Sequence, residues 1–535
     1  MRFARTFLEI FEAAASEVPS KVALRHPRGE VTYEELLRRS RAAGAWMRSR
    51  GISRGDTVAT LSENRAELVY AWFGSFMVGA VFAPINFMLK GDLLEYELRD
   101  SGAKLLLYSD EVAGEALRAA SAVGVDAVPI AHLEEVRGEL ERREDVGPGD
   151  PAAIIYTSGT TGMPKGVVLP HGAYAAHAVE SAQIVEAGEG DTIYGAVPLF
   201  HTSGQFMVVM PAIYARGTAA IDPWFHASTF WRRCMDYGAT ISFLIGTMAA
   251  ALLRRPPSPE ERSHGCRVIY TGGISEADWP EFERRFGVRI YEGYGLTESG
   301  AIAIFNRPGM VKVGTIGRPL DDFEAAVVDE LDGPLPPGAV GEIVLRPREP
   351  FVMMLEYRGK PEETVRAWRN LWFHTGDLAY VDEEGFFHLV GRKKEVIRRR
   401  GENISPYYVE SVIGGYPGVL EVAVAGVPDE LGDEEVAAFL VVSDRSSFDL
   451  GDFVEYCGSR LPYYMVPRYV KLVDELPKTP TQKLIRSALR DMVDGAFDLE
   501  RMGLRGKLRK KLGVRWRPST RGSRVSSWWS SSPAS

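Results

Sequence analysis

Between Leu68 and Leu89 the chain carries no charged residue. A run of that length is buried either in a bilayer or in a core that covers it on both sides. Gly74, Gly79, Pro84 and Asn86 interrupt it. It therefore reads as a buried helix, Ala66–Gly79, followed by a strand, Ala80–Pro84, and not as an integral membrane span. Thr57–Leu61, Val81–Pro84, Leu105–Ser109 and Ala127–Ile130 are short apolar runs separated by helical stretches. That alternation predicts parallel strands with crossover helices, an α/β fold. Upstream, Phe3–Ala15 reads as an amphipathic helix, Val22–Arg25 with Val31–Thr32 as a hairpin, and Tyr33–Arg50 as a helix capped near Thr32. At 535 residues the chain exceeds what one core serves, so two or more domains are expected.

Glu134–Asp150 is charged, closes in Pro-Gly-Asp-Pro, and reads as a linker into the next apolar run, Ala152–Tyr156. That run enters Thr157, Ser158, Gly159, Thr160, Thr161 and Gly162, with Lys165 after them. Glycines let backbone N–H groups approach oxyanions, four hydroxyls add donors, and Lys165 adds a mobile positive charge. The pattern is a phosphate cradle, and a nucleotide is its natural ligand. It departs from the ordinary P-loop, because Pro164 precedes Lys165 and Gly166 follows it. The plain alternative is a hydroxyl-rich surface loop. Tyr174–Gly188 reads as a helix whose positive N-terminal end lies close to the phosphates.

Further on, Val268–Gly273 is a strand signal ending in Gly272 and Gly273, as suits backbone approaching a flat ring such as adenine. Gly293-Tyr-Gly295 resembles the start of a dinucleotide fingerprint, but Glu298 stands where the third glycine belongs, and that reading is rejected. Gly314–Leu345 alternates apolar residues with turns and suggests a small β-subdomain. Pro406–Gly414 and Phe448–Leu461 read as helices, and Val419–Val427, Val436–Val442 and Tyr469–Leu472 as strands, which together make a compact α+β unit.

Composition excludes several functions. Hydrophobic content of 45% and charged content of 25% are ordinary for a globular protein, and a net charge of −9 argues against nucleic acid as the partner. Cys234, Cys266 and Cys457 have no paired spacing, which points to a reducing compartment and away from a cysteine-based zinc site. Glu9 and Glu12 fall where a signal peptide needs its apolar run, so the expected location is cytoplasmic.

Five ordered motifs, spread from about Ala13 to Leu489, resemble those of the adenylate-forming superfamily, which includes acyl-CoA synthetases, aryl-CoA ligases, luciferases and peptide-synthetase adenylation domains. They are Ile154–Gly172, Leu199-Phe-His-Thr-Ser-Gly204, Ile290–Gly300, Phe373-His-Thr-Gly-Asp377 through Arg392, and Leu476–Lys483. The resemblance implies a catalytic set of Lys483, Thr297, Glu298 and His201, with Glu298 also holding Mg²⁺ and Tyr294 stacking near adenine. It places Glu292, Gly293 and Gly295 beside the nucleotide, Asp377 on the ribose hydroxyls, and Arg392 on the same nucleotide. Arg398, Gly401 and Asn403 are assigned to a mobile loop, with a hinge at Lys394. Many members have glycine where this chain has Gln482. The string Arg398–Ser405 and the segment Gly495–Gly503 look most like the crotonobetaine/carnitine-CoA ligase branch.

The implied layout is a large N-terminal domain over 1–391 for ATP and acid, a small mobile domain over 392–490, and a basic, Ser-rich tail over 491–535. The implied reaction joins a carboxylic acid to CoA through an acyl-adenylate, with ATP and Mg²⁺. His201–Phe206, Ile245–Met248 and Tyr270–Ile274 are the expected walls of the acid pocket. One alternative is a single half-reaction, or loading of an acyl carrier protein. Another is a non-catalytic nucleotide-binding protein that keeps the fold.

Overall fold

A computed structural model describes residues 6–157, 163–393, 395, 397–399, 402–428, 434–479 and 484–511. The chain divides into two compact units, Met1–Ala326 with Val344–Thr375, and Val327–Ile343 with Gly376–Ser535.

The uncharged run behaves as its composition requires. Ala66–Met77 is a helix with every residue buried, and Val81–Ile85 is a strand buried throughout. Among the described residues, no helix is long and apolar enough to cross a membrane. Trp72 anchors the helix between Phe7 and Phe82, with ring centroids 6.3 and 6.0 Å away. Burying each such ring contributes about 1.5–3 kcal/mol. Gly74 is there for closeness: a Cβ on it would meet the Ser40 carbonyl and the Gly44 nitrogen at 3.0 Å, both on the helix Tyr33–Ser49. That helix starts as the sequence indicates, Thr32 accepting the Glu35 N–H at 3.2 Å.

A seven-stranded sheet forms around this helix–strand pair. Its order is Glu356–Tyr357, Lys165–Pro170, Pro151–Thr157, Val81–Ile85, Thr57–Leu61, Ala103–Tyr108, Asp126–Pro129. The last five strands are parallel, as the alternation of apolar runs and helices implies. The first two break the pattern. Lys165–Pro170 runs antiparallel to Pro151–Thr157, with Thr157 opposite Lys165 and Pro151 opposite Pro170.

This corrects the expectation of a helix N-terminus beside the cradle. The helix is His171–Ile184, and it starts at the far end of the hairpin, where the His171 N–H donates to the Asp150 carbonyl at 3.0 Å. The intervening strand puts roughly 20 Å between the start of the helix and Lys165, outside the range of a helix-end dipole. Val167, Val168 and Leu169 are the cause: buried, β-branched or bulky residues favour a strand.

The second large sheet has nine strands in the order Arg318–Pro319, Ile304–Phe305, Arg289–Tyr294, Val268–Gly272, Ile241–Ile245, Thr192–Gly195, Thr218–Ile221, Val22–His26, Gly29–Thr32. The N-terminal hairpin therefore closes an edge of this sheet, with Leu24 opposite Ala219. Arg289–Tyr294, Val268–Gly272, Ile241–Ile245 and Thr192–Gly195 are parallel neighbours, so their C-terminal ends share one edge. A four-stranded sheet combines Phe323–Val328, Gly341–Pro347, Phe373–Val381 and Phe387–Arg392.

In the second unit the strands Val419–Pro428, Glu434–Val442, Tyr469–Leu472 and Phe497–Asp498 form one sheet. Helices Pro406–Gly414 and Leu450–Arg460 belong to the same unit, as does the two-stranded ribbon Ile397–Arg399 with Glu402–Ile404. Residues 491–511, read from the sequence as the start of a tail, supply the last strand and the helix Leu504–Lys511. Leu499 and Leu508 lie in the unit's core, so apolar residues spaced among the basic ones decide the fold there.

Candidate active site

Lys165 and Glu298, far apart in the chain, meet on one side chain. Tyr357 sits on the short strand that pairs with Lys165–Pro170, opposite Val167. Its hydroxyl donates to Glu298 Oε1 at 2.8 Å, and Lys165 Nζ lies 4.6 Å from the centroid of its ring. Burial raises the Tyr357 pKa and the Glu298 charge raises it further, so the phenol stays protonated and keeps donating. The Lys165 ammonium is ion-paired with Glu363, on the helix Pro361–Ala367. That contact holds the Glu363 carboxyl below the usual carboxylate range. Lys360, just before this helix, donates to the Tyr96 hydroxyl at 2.7 Å, and Tyr96 donates to the Pro164 carbonyl at 3.0 Å. One segment, 357–363, thus braces the exit of the cradle and its two charged groups.

The turn carrying Glu298 is held from behind. The Met354 N–H donates to the Glu298 carbonyl at 2.9 Å, and Thr297 is buried. His177 Nε2 lies 2.9 Å from the Ser299 carbonyl and 3.2 Å from that of Val352. Gly300 has φ +90°, and a Cβ there would stand 2.1 Å from His177 Nε2. His177, Tyr357 and Glu363 escaped the sequence reading. Only the glycine after Glu298 hinted at a close neighbour, and nothing in the sequence said which residue it was.

The edge of the nine-stranded sheet is built differently. Gly272 ends its strand and Gly273 follows it, with Ile245 opposite Gly272 and Thr271 opposite Glu292. A Cβ on Gly246 would lie 1.9 Å from the Gly273 carbonyl, one on Gly293 2.2 Å from Phe305, and one on Gly295 1.6 Å from the Ala301 carbonyl. Gly246 and Gly295 answer to neighbouring backbone, and Gly293 to the Phe305 ring. Tyr294, the last residue of its strand, is nearly buried. Glu292 accepts the Gly273 N–H and, at 3.5 Å, the Ile274 N–H. Burial pushes its carboxyl up to about 8 despite those two donors. The edge therefore brings Ile245–Met248, Tyr270–Ile274 and Glu292–Gly295 together.

His201 follows the strand Thr192–Gly195, and its Nδ1 accepts the Ser203 N–H at 3.2 Å. The approach to it is pinned by Asn64, a residue the sequence reading also missed. Asn64 accepts the Leu199 N–H at 2.7 Å and donates to the Val197 carbonyl at 2.8 Å.

In the second unit, Asp377 lies opposite Arg392 on adjacent antiparallel strands, and Arg392 Nε is 3.3 Å from Asp377 Oδ1. Arg398 and Asn403 are register partners in the ribbon. Ser158, Gly159, Thr160, Thr161, Gly162, Lys394, Gly401 and Lys483 lie outside the described residues, whereas Thr157, at the mouth of the cradle, is described at the end of its strand. Among the described residues, no group of three or more His, Cys, Asp or Glu could hold a metal ion by itself. A magnesium ion bound mainly through phosphate would need only one or two carboxylates from the protein, and Glu298 is a carboxylate that would fit that part.

The AMP-binding enzyme family matches residues 11–357, and the AMP-binding enzyme C-terminal domain matches residues 408–483. The chain belongs to the AMP-binding enzyme family, the adenylate-forming superfamily its motifs resemble. It is 31% identical over 504 residues to the crotonobetaine/carnitine–CoA ligase of Salmonella arizonae, across 90% of this chain and 95% of that protein. It is 34% identical over 481 residues to the feruloyl-CoA synthase of an Amycolatopsis species, across 88% of this chain and 96% of the relative. The solved structure of o-succinylbenzoate coenzyme A synthetase from Bacillus subtilis, in complex with ATP and magnesium ion, superposes with a TM-score of 0.80 at 28% identity. It covers 91% of this chain and 100% of that one. Within its family the protein is an ATP-dependent, AMP-forming acyl-CoA ligase.

Proposed function

We propose that the protein converts a carboxylic acid with an uncharged, largely apolar tail into its CoA thioester. The observation that carries the nucleotide side of this reading is the meeting of Lys165 and Glu298 on Tyr357. A cation for the β- and γ-phosphates and a carboxylate for their magnesium ion stand together at the mouth of the cradle. For the acid, the three wall segments His201–Phe206, Ile245–Met248 and Tyr270–Ile274 contain no aspartate or glutamate. Glu292, which lies opposite Thr271 and accepts the Gly273 N–H, is pushed up to about 8 by burial and so favours its neutral form at pH 7. A quaternary ammonium would find no carboxylate in these segments to balance its charge, whereas an aromatic or aliphatic acid needs none.

The chemistry follows in two steps. A carboxylate is a poor acyl donor because its leaving group is oxide, so its oxygen first attacks the α-phosphorus of ATP. The bond to the bridging oxygen breaks, and pyrophosphate leaves. Thr157, Ser158, Thr160, Thr161 and Lys165 orient the polyphosphate, Thr297 holds the α-phosphate, and Lys483 bridges carboxylate and α-phosphate. Magnesium, when bound, neutralises charge on the leaving pyrophosphate. The thiolate of CoA then attacks the acyl carbon, the carbonyl–phosphate bond breaks, and AMP is released. Lys483 must withdraw before the thiol enters, so the domain from 392 onward turns about Lys394 and brings Gly401 and Asn403 to the site. Asp377 and Arg392 serve the ribose.

The test is a panel of acids assayed for pyrophosphate release with ATP and Mg²⁺, with and without CoA. Hydroxycinnamic, benzoic and medium-chain acids should be turned over, with carnitine and crotonobetaine far behind. A preference for the quaternary ammonium acids would refute the substrate class, and no acid-dependent AMP formation at all would refute the reaction.

A further inference from the structure

The second unit buries a cluster of ions that neither bond-making step uses. Arg505, on the helix Leu504–Lys511, has a side chain 1% exposed, as has Glu435 on the strand Glu434–Val442. Arg399, on the ribbon strand Ile397–Arg399, is 6% exposed. Arg399 grips Glu435 with both prongs of its fork, Nε at 2.6 Å and Nη2 at 3.1 Å, and Arg505 Nη1 reaches the same carboxylate at 3.4 Å. Each arginine is tied once more, Arg399 to the Tyr464 carbonyl at 2.9 Å and Arg505 to that of Tyr463 at 3.5 Å. Glu500 stands 3.9 Å from Arg505 Nε. Burial and the like charge of Arg399 both lower the Arg505 pKa.

Two guanidinium groups on one buried carboxylate make a costly arrangement. Arg399 with Glu435 alone would be neutral and bidentate, and Arg505 adds a charge whose desolvation is only partly offset. Such a group earns its place through geometry. The elements it joins are the ribbon that carries Arg398 and Asn403, and a helix lying wholly beyond residue 483, where the match to the family's C-terminal domain ends. Apolar packing follows the same path. Leu499 and Leu508 share a core with Ile397 and Ile404, and a Cβ on Gly458 would stand 2.3 Å from Leu508.

We propose that Arg505 is a positioning residue, through which the C-terminal helix clamps the ribbon by way of Glu435 and holds it in the form needed for transfer to CoA. This rests on the ribbon's part in the thiol step proposed above. Adenylation, which uses the cradle and Lys483, does not depend on the clamp.

The test uses the full-length chain and two variants, Arg505→Met and Arg505→Lys. Removing Arg505 leaves Arg399 and Glu435 as a neutral pair, so the unit keeps a satisfied core. In Arg505→Met, amide hydrogen exchange at 397–399 and 402–404 should quicken by about tenfold or more. Acyl-CoA formation should fall by about tenfold with a raised KM for CoA, while acid-dependent pyrophosphate exchange stays within about twofold. Arg505→Lys should fall between the two. Unchanged exchange in the ribbon, or equal loss of both half-reactions, overturns the clamp. If the wild-type chain shows no acid-dependent pyrophosphate exchange, the functional reading fails instead, and the amide measurement still judges the clamp.

Discussion

Two strand ends of the first unit look alike in sequence and work by different physics. At the end of Pro151–Thr157, the neighbouring groups are charged: Lys165, Glu298 and Glu363 converge around a phenol. At the ends of Val268–Gly272 and Arg289–Tyr294, glycines make room for uncharged neighbours, the Gly273 carbonyl at Gly246, the Phe305 ring at Gly293 and the Ala301 carbonyl at Gly295, and burial pushes the Glu292 carboxyl up to about 8. Both stretches read as glycine-rich turns after apolar runs. One end is suited to a highly charged group and the other to a neutral, flat one. A glycine after a strand therefore says that something comes close, and only its neighbours say whether that is an anion or another backbone.

Substitutions can break this contrast. The largest effect is expected at Gly295, where alanine would put a methyl 1.6 Å from the Ala301 carbonyl. The backbone must move, at a cost of about 3 kcal/mol or more, and Gly295→Ala should lower Tm by several degrees and abolish acid-dependent pyrophosphate exchange. At the charged end, Glu298→Gln keeps the shape and removes the charge. Its kcat for adenylation should fall about 10²–10³-fold with Tm nearly unchanged, and raised magnesium should recover part of the loss. Equal Tm losses at the two ends would erase the distinction.

Smaller effects sharpen it. Tyr357→Phe removes the donor to Glu298 and keeps the ring beneath Lys165. The KM for ATP should rise by about tenfold, a charge-assisted hydrogen bond being worth about 1.5–3 kcal/mol at most. Glu363→Gln frees Lys165 from its internal counter-ion. Because the pair is about one-third exposed, solvent screens it, and the KM for ATP should drop only about two- to fivefold, less at high salt. A rise in KM would mean that Glu363 serves the phosphates in some other way.

The last prediction concerns Glu292. Its folded-state pKa, about 8, lies above the ordinary value of 4.5, so between those pH values the native state holds a proton that the unfolded chain releases. Stability therefore declines as pH rises through that window. Glu292→Gln should flatten the dependence and melt above the wild type at the upper end, as Tm measured from pH 5 to 8 would show. An unaltered slope would place the ionised form of Glu292 in the native protein.

Periodicity and local chemistry made much of the fold legible. Helix Ala66–Met77 with strand Val81–Ile85, the parallel strands beside them, and strand Tyr469–Leu472 were all readable from apolar spacing. The helix read at Tyr174–Gly188 is there as His171–Ile184, but its place beside the cradle was not legible, because Val167–Leu169 pairs back onto Ala153–Ile155. Pairing of that kind depends on which edge is free, a property of the sheet and not of the segment. The same holds for 491–511, where a basic composition hid Leu499, Leu504 and Leu508, whose value appears only against the helix and ribbon they cover.

By itself the sequence determined the class of protein, because a phosphate cradle is written in consecutive residues: small groups, hydroxyls and a lysine must follow one another along the backbone. The tertiary structure decided which charges face one another. Tyr357 beside Glu298, Glu363 on Lys165, and Arg505 with Arg399 on Glu435 join residues from distant parts of the chain. Coulomb and hydrogen-bond energies depend on separation in space, which no local pattern encodes.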